Sequence, residues 1–325
     1  MNVEALVERT RATRDRMLES MVGRPSEQSA RGHLLGYDTD DKIRGWITLY
    51  KDAVIPCIRS FEGSTGLDLG CWSGLGTSLL SELGARRVIG VDLNEDLMAF
   101  ADVWSREMEF DRVSFASNPG GVVPLRDETM DWVYVNQVFC NMPRSGFEQA
   151  LAEIARVLRR GGRLVLCDSN NPHCPATLAR LAAAYRAREF GAGDESKPAG
   201  PVYKERCRFI RSLLPDTDDR TIELLADNTC YMWGDELSRA IHAYAHAGQM
   251  PSSRFIDGCA RAPVQPYSGI PTGNVTDPFW FAARLEALGV SVSINTAAGE
   301  GPDDPAELLD LLRQSQSFYV LGTKR

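Results

Sequence analysis

The stretch GLDLGCWSGLG, Gly66 to Gly76, decides how the rest of the chain is read. "TGLDL" is a short apolar run of strand type, and "GTSLLSELG" has helical spacing and stops at Gly84. The glycines between them therefore turn a strand into a helix, the place where many folds bind a nucleotide. A dinucleotide fingerprint needs G-x-G-x-x-G. Counted from Gly70 the third position is Trp72, and counted from Gly74 the sixth is Leu79, so both registers fail. The G-K-[ST] of a P-loop is absent as well.

Working outward, "RRVIGVD" is a second strand and "NEDLMAFADVWSREM" its helix. "RVSFAS" and "MDWVYVN" follow as strands, then the helix "GFEQALAEIARVLRR", a Gly161-Gly162 stop and the strand "RLVLCDS". Strands alternating with helices predict a parallel sheet with right-handed crossovers. Arg159 and Arg160 are expected in the last turn of their helix, where the dipole favours cations. Residues 1–62 read as a helical cap, "ALVERTRATRDRMLESM" and then one helix through "DKIRGWITLYKDAVIPCIRSF". Beyond Ser169 the alternation stops for about a hundred residues, far past an ordinary loop. It resumes with the helix "PFWFAARLEALG" and the strands "VSVSINT" and "QSFYVLGTK". The expected organisation is a cap over 1–62, a sheet domain over 63–168 and 278–325, and an inserted helical lid over 169–277.

The 325 residues are 43% hydrophobic and 25% charged, an ordinary globular composition. The N-terminus has no apolar signal core and no run approaches the roughly 20 residues of a membrane span. A formal net charge of −8 argues against a broad nucleic-acid footprint. Eight cysteines without a C-x-x-C pair suit reduced thiols and a cytoplasmic chain. His173-Cys174 and the pair His242 and His246 fall short of a four-ligand set, so no metal is expected.

A tryptophan at position 72 is tolerable where no pyrophosphate has to be cradled, as for a ligand carrying a methionyl chain. "GLDLGCWSG" resembles motif I of class I S-adenosylmethionine-dependent methyltransferases, hydrophobic-L-D-x-G-C-G-x-G, with Trp72 departing from it. "VPLRDETMDWVYVNQVF" and "ALAEIARVLRRGGRLVLCD" are similar to later segments of that family, in order. The resemblance covers 65–168 plus the last helix and two strands, and is of the methyltransferase type 11 kind. It implies a Rossmann-like sheet of order 3-2-1-4-5-7-6 with the last strand antiparallel, and S-adenosylmethionine as cofactor. By resemblance Asp68 and Gly70 line the methionyl end, with Gly74 completing the loop, and Asp92 with Leu93 the ribose. Asn118 comes near the adenine amino group, although "SNPGG" departs from the family's G-D-A. Asn136 and Gln137 face the methionyl group, Asn136 having a strand-end cap as its alternative. Trp72 either packs over the methionyl chain or turns into the N-terminal helices.

The family's amine and pyrimidine-carbon signatures are absent, which leaves a small-molecule acceptor enclosed by 1–62 and 169–277. "DSNNPHCPATLARLAAAYRAREFG" is similar to the N-N-P turn of bacterial polysaccharide and sugar-biosynthesis methyltransferases, implying a hydroxyl on a sugar or glycosylated metabolite. Such a hydroxyl needs its proton removed, best by a group titrating near neutrality. His173 is one candidate base, with a helix-capping turn residue as the equal alternative, and Asp168 is the second candidate. The competing readings are an NAD-type oxidoreductase and a non-catalytic S-adenosylmethionine-binding protein.

Overall fold

In the computed structural model, residues 2–24, 27–191, 200–254 and 273–325 are described. Seven strands form one sheet: β1 Thr65–Leu69, β2 Arg87–Asp92, β3 Val113–Ser117, β4 Met130–Asn136, β5 Leu158–Ser169, β6 Val290–Asn295 and β7 Ser317–Lys324. Their order is β3-β2-β1-β4-β5-β7-β6, and β7 runs antiparallel to β5 and β6. This is the Rossmann-like class I methyltransferase sheet that the sequence resemblance implied.

The strands are buried on both faces because helices cover both. In β4, Trp132 and Tyr134 point to one core while Val133 and Val135 point to the other. The first core is closed by α1 (Val3–Ser20), α2 (Glu27–Leu34), α3 (Asp40–Thr48), α4 (Ile55–Cys57), α5 (Leu75–Glu82) and α6 (Glu95–Glu107). The second is closed by α7 (Phe147–Val157), α12 (Pro278–Ala287) and α13 (Pro305–Gln314). Gly66 makes the close packing of β1 on β4 possible, since a Cβ there would stand 2.0 Å from the Trp132 ring.

Several elements differ from expectation. The single helix expected over 41–61 is broken: a wide π-type turn, Leu49–Val54, separates α3 from α4. Pro56 lacks an N–H and its ring crowds the carbonyl four residues back, which explains the widened turn before it. The helix before Gly161 ends at Val157, and Arg159 and Arg160 belong to β5. Leu158 already pairs with Met130, and the strand bulges through Gly161, at φ +75, before Arg163 pairs with Trp132. Arg159 there binds Asp131 across 2.8 Å instead of capping a helix dipole.

Where it is described, the region expected as a helical insertion consists of α8 Pro175–Phe190, α9 Pro201–Leu213, α10 Asp219–Asp227 and α11 Gly234–Ala247. Residues 192–199 and 255–272 of the expected lid lie outside the described residues. α9 escaped the reading because Arg206 occupies a core position and breaks the apolar period. Its guanidinium is 1% exposed and pairs with Glu189 at 2.9 and 2.6 Å. After α12 (Pro278–Ala287), a further unanticipated helix, α13 (Pro305–Gln314), links β6 to β7.

Candidate active site

The strand order reverses between β1 and β4, so their carboxyl ends diverge into a crevice. A cavity of about 600 Å³ opens there. Gly70 enters it at φ +78, and a Cβ would come within 2.2 Å of Val138 Cγ2, so only glycine fits. Trp72 sits at φ +54, a conformation bulky residues seldom adopt. Its backbone N–H holds it there by donating to Asp92 Oδ2 at 3.1 Å. Asn94 N–H donates to Asp92 Oδ1 at 3.0 Å. A carboxylate offers about four acceptor positions, so each oxygen keeps capacity for a ligand. Burial raises the Asp92 carboxyl above its ordinary range, and the N–H donors of Asn94, Trp72 and Leu93 oppose that shift.

Asn118 follows β3, anchored by its N–H to Asp92 O at 3.0 Å. Its side-chain Oδ1 is buried and has no partner among the described residues. Asn136 ends β4, and Gln137 after it takes φ +54 while its N–H donates to Cys167 O at 2.8 Å. Such strain at a ligand-lining position is common where a site dictates backbone geometry.

Gly70, Trp72, Asp92, Leu93, Asn118, Asn136 and Gln137 therefore line the same cavity. Asp68 and Gly74 are not among its lining residues. Asp68 accepts from Thr77 Oγ1 at 2.7 Å, and burial pushes its carboxyl up to about 6. Gly74, at φ +84, begins α5 where a Cβ would stand 2.4 Å from the Phe115 ring.

His173 and Asp168 are not among the lining residues. His173 Nε2 lies 3.3 Å from Asp277 Oδ1, and its ring meets Phe279 edge-on. Asp168 is 1% exposed and accepts from the backbone N–H groups of Cys140 and Ser169. It thereby anchors the turn whose next residues, Asn141 and Met142, do line the cavity. Burial pushes its carboxyl up to about 6.

Sequence reading missed other lining residues: His33 and Trp46 from the cap, and Asn141, Ser145 and Gln149 from beyond β4. The described part of 169–277 supplies no lining residue; it acts through Asn274, whose N–H donates to Cys140 O at 2.7 Å and whose Nδ2 donates to Met142 O at 2.6 Å.

Residues 67–166 match a family described as "Methyltransferase domain". The chain carries a class I S-adenosylmethionine-dependent methyltransferase domain. A Streptomyces fradiae protein described as an uncharacterized 37.1 kDa protein in transposon TN4556 is 33% identical over 46% of this chain and 41% of its own length. The O-methyltransferase cnsE of Penicillium expansum is 31% identical over 41% of this chain and 49% of its own. A demethylmenaquinone methyltransferase of Shouchella clausii is 29% identical over 35% and 48%. The chain spans at most about half the length of these relatives. S-adenosylmethionine is the cofactor of a methyltransferase domain of this class, and the cavity suits its chemistry. The buried Asn118 Oδ1 wants a donor such as an amino group, and the buried Trp72 Nε1, also without a partner, wants an acceptor. Among the described residues no helix is long and apolar enough to cross a membrane, and no cluster of three or more His, Cys, Asp or Glu is placed to hold a metal.

Proposed function

We propose that the protein methylates a hydroxyl of an uncharged small molecule, such as a sugar or a glycosylated metabolite. The observation that carries this reading is the lining: it includes amides and a hydroxyl (Asn136, Gln137, Asn141, Ser145, Gln149) and Trp46, with no lysine or arginine among the described residues. Amides and an aromatic face bind hydroxylated rings, whereas a phosphate-bearing polymer needs cations. The similarity to an O-methyltransferase supports the same class.

In this reading Asp92 would accept from the ribose hydroxyls and Asn118 from the adenine amino group, while Gly70 would let the backbone approach the methionyl chain. The cofactor supplies a methyl group bonded to a sulfonium. The chain's part is to align the acceptor oxygen with that carbon, by Gln137, Asn141 and the cap, and alignment accounts for much of such a rate. As the new O–C bond forms and the C–S bond breaks, the hydroxyl proton passes to solvent water and S-adenosylhomocysteine is the leaving product. Asp168 and His173 act by positioning: one holds the Cys140 turn, the other ties the start of α8 to Asp277. The lid role of 169–277 is then to brace the Asn141–Met142 loop through Asn274.

The test is incubation with methyl-labelled S-adenosylmethionine and a panel of glycosides, phenols and amines. S-adenosylhomocysteine and a labelled ether should form with a hydroxyl acceptor. Product on amines alone overturns the acceptor class, and tight cofactor binding with no turnover on any class supports a binding protein.

A further inference from the structure

His33 reaches the motif loop from α2. Its Nδ1 lies 3.1 Å from Ser73 Oγ, and its ring centroid lies 5.7 Å from that of Trp72. Ser73 is fully buried, and its hydroxyl has no other hydrogen-bond partner among the described residues. The tautomer that gives this hydroxyl proton an acceptor is the one in which Nδ1 accepts from Ser73 Oγ. A neutral imidazole that accepts at Nδ1 carries its own proton on Nε2, so His33 borders the cavity as an N–H donor. Burial keeps the ring neutral by pushing its pKa down to about 4.

The second donor stands next to it. Trp72 Nε1 can only donate, is buried, and has no acceptor among the described residues. A buried donor left unmet is a cost that native structures seldom carry without a ligand or water to satisfy it. The methionyl end of the cofactor brings a carboxylate, and among the described residues no lysine or arginine lines the cavity to receive it. Asp92 is taken up with the loop N–H groups and, in the reading above, the ribose.

The geometry points to a carboxylate clamp: the N–H groups of His33 and Trp72 together bind the methionyl carboxylate and tie α2 to the motif loop. This rests on the methyltransferase reading and deepens it. It also explains the tryptophan at a position where the family has glycine, since a glycine supplies no side-chain donor.

Calorimetry with S-adenosylhomocysteine and its decarboxylated counterpart tests the clamp without turnover. The wild type should prefer the carboxylated ligand by roughly 10²-fold, the worth of two hydrogen bonds to a charged group. Trp72→Phe and His33→Phe should each cut that preference by about tenfold and leave affinity for the decarboxylated ligand within about threefold. His33→Gln, which keeps an N–H donor, should retain part of the preference. Equal wild-type affinity for the two ligands refutes the clamp and leaves the methyltransferase reading standing. Failure to bind S-adenosylhomocysteine at all sinks that reading instead. Variants that weaken both ligands equally make the pair structural. Variants that keep the preference but raise the KM of the acceptor place the donors on the acceptor, which also overturns the clamp.

Discussion

Removing the Asp92 carboxylate offers the most direct test of the cofactor site. Asp92→Ala deletes the acceptor for two backbone donors, Trp72 N–H at 3.1 Å and Asn94 N–H at 3.0 Å, as well as the proposed ribose contact. A hydrogen bond to a charged group contributes about 1.5–3 kcal/mol, so loss of the ribose contact alone weakens binding by roughly 10- to 150-fold. Release of the Trp72 loop adds to that, and the two effects are separable. S-adenosylhomocysteine and its deoxyribose analogue, each titrated calorimetrically into wild type and variant, complete a double-mutant cycle. The analogue should bind the wild type about 10-fold or more weaker, and the variant should scarcely distinguish the two ligands. If the penalties of the variant and of the deoxy ligand simply add, Asp92 does not touch the ribose and the site assignment is wrong. A thermal melt without ligand reports the loop effect by itself.

Glu189→Ala leaves the Arg206 guanidinium buried and unpaired, and urea unfolding should show a loss of about 3–5 kcal/mol; a Glu189→Leu/Arg206→Leu double variant should recover much of it. Because neither residue lines the cavity, affinity for S-adenosylhomocysteine in the folded variant should not move. Asp68, held near 6 by burial, keeps its proton in the folded state between about pH 4 and 6 where the unfolded chain has lost it. The folded state thus binds more protons there, and Asp68 makes stability fall as pH rises. Asp68→Asn removes that contribution, so its stability relative to wild type should rise between pH 5 and pH 7 by on the order of 1 kcal/mol; a constant difference contradicts a raised carboxyl. His173→Ala should keep turnover within about threefold, against the roughly 10²–10⁴-fold loss expected on removing a general base. A loss of that larger size with cofactor affinity intact restores His173 as the proton acceptor.

The sheet was legible because its signals are local. Each strand of the domain is a short run facing two covered layers, each helix has its apolar stripe, and the loop at Gly70 has a fixed relation to the strand before it. Even Asp92 could be placed, since a carboxylate at the end of the second strand of such a sheet must fall beside the first turn. The failures came where a residue's meaning depended on a distant partner. Arg206 reads as a surface cation until Glu189 is seen against it. Leu158 reads as the end of a helix until Met130 pairs with it across the sheet.

The site divides the same way. Part of the lining is made by loops that follow consecutive strands, so chain order alone brings Gly70, Trp72, Asp92, Asn118 and Asn136 together. His33 and Trp46 belong to no motif and join that lining only because the cap helices fold over the first core. His173 shows the converse: it is near Asp168 in sequence and looks well placed for chemistry. The chain beyond β5 instead turns it toward Asp277, more than a hundred residues on, where it meets the start of α12. Sequence periodicity determines which face of an element is buried. Which long-range neighbour meets that face, and whether a histidine borders the cavity, is set by packing between elements far apart in the chain.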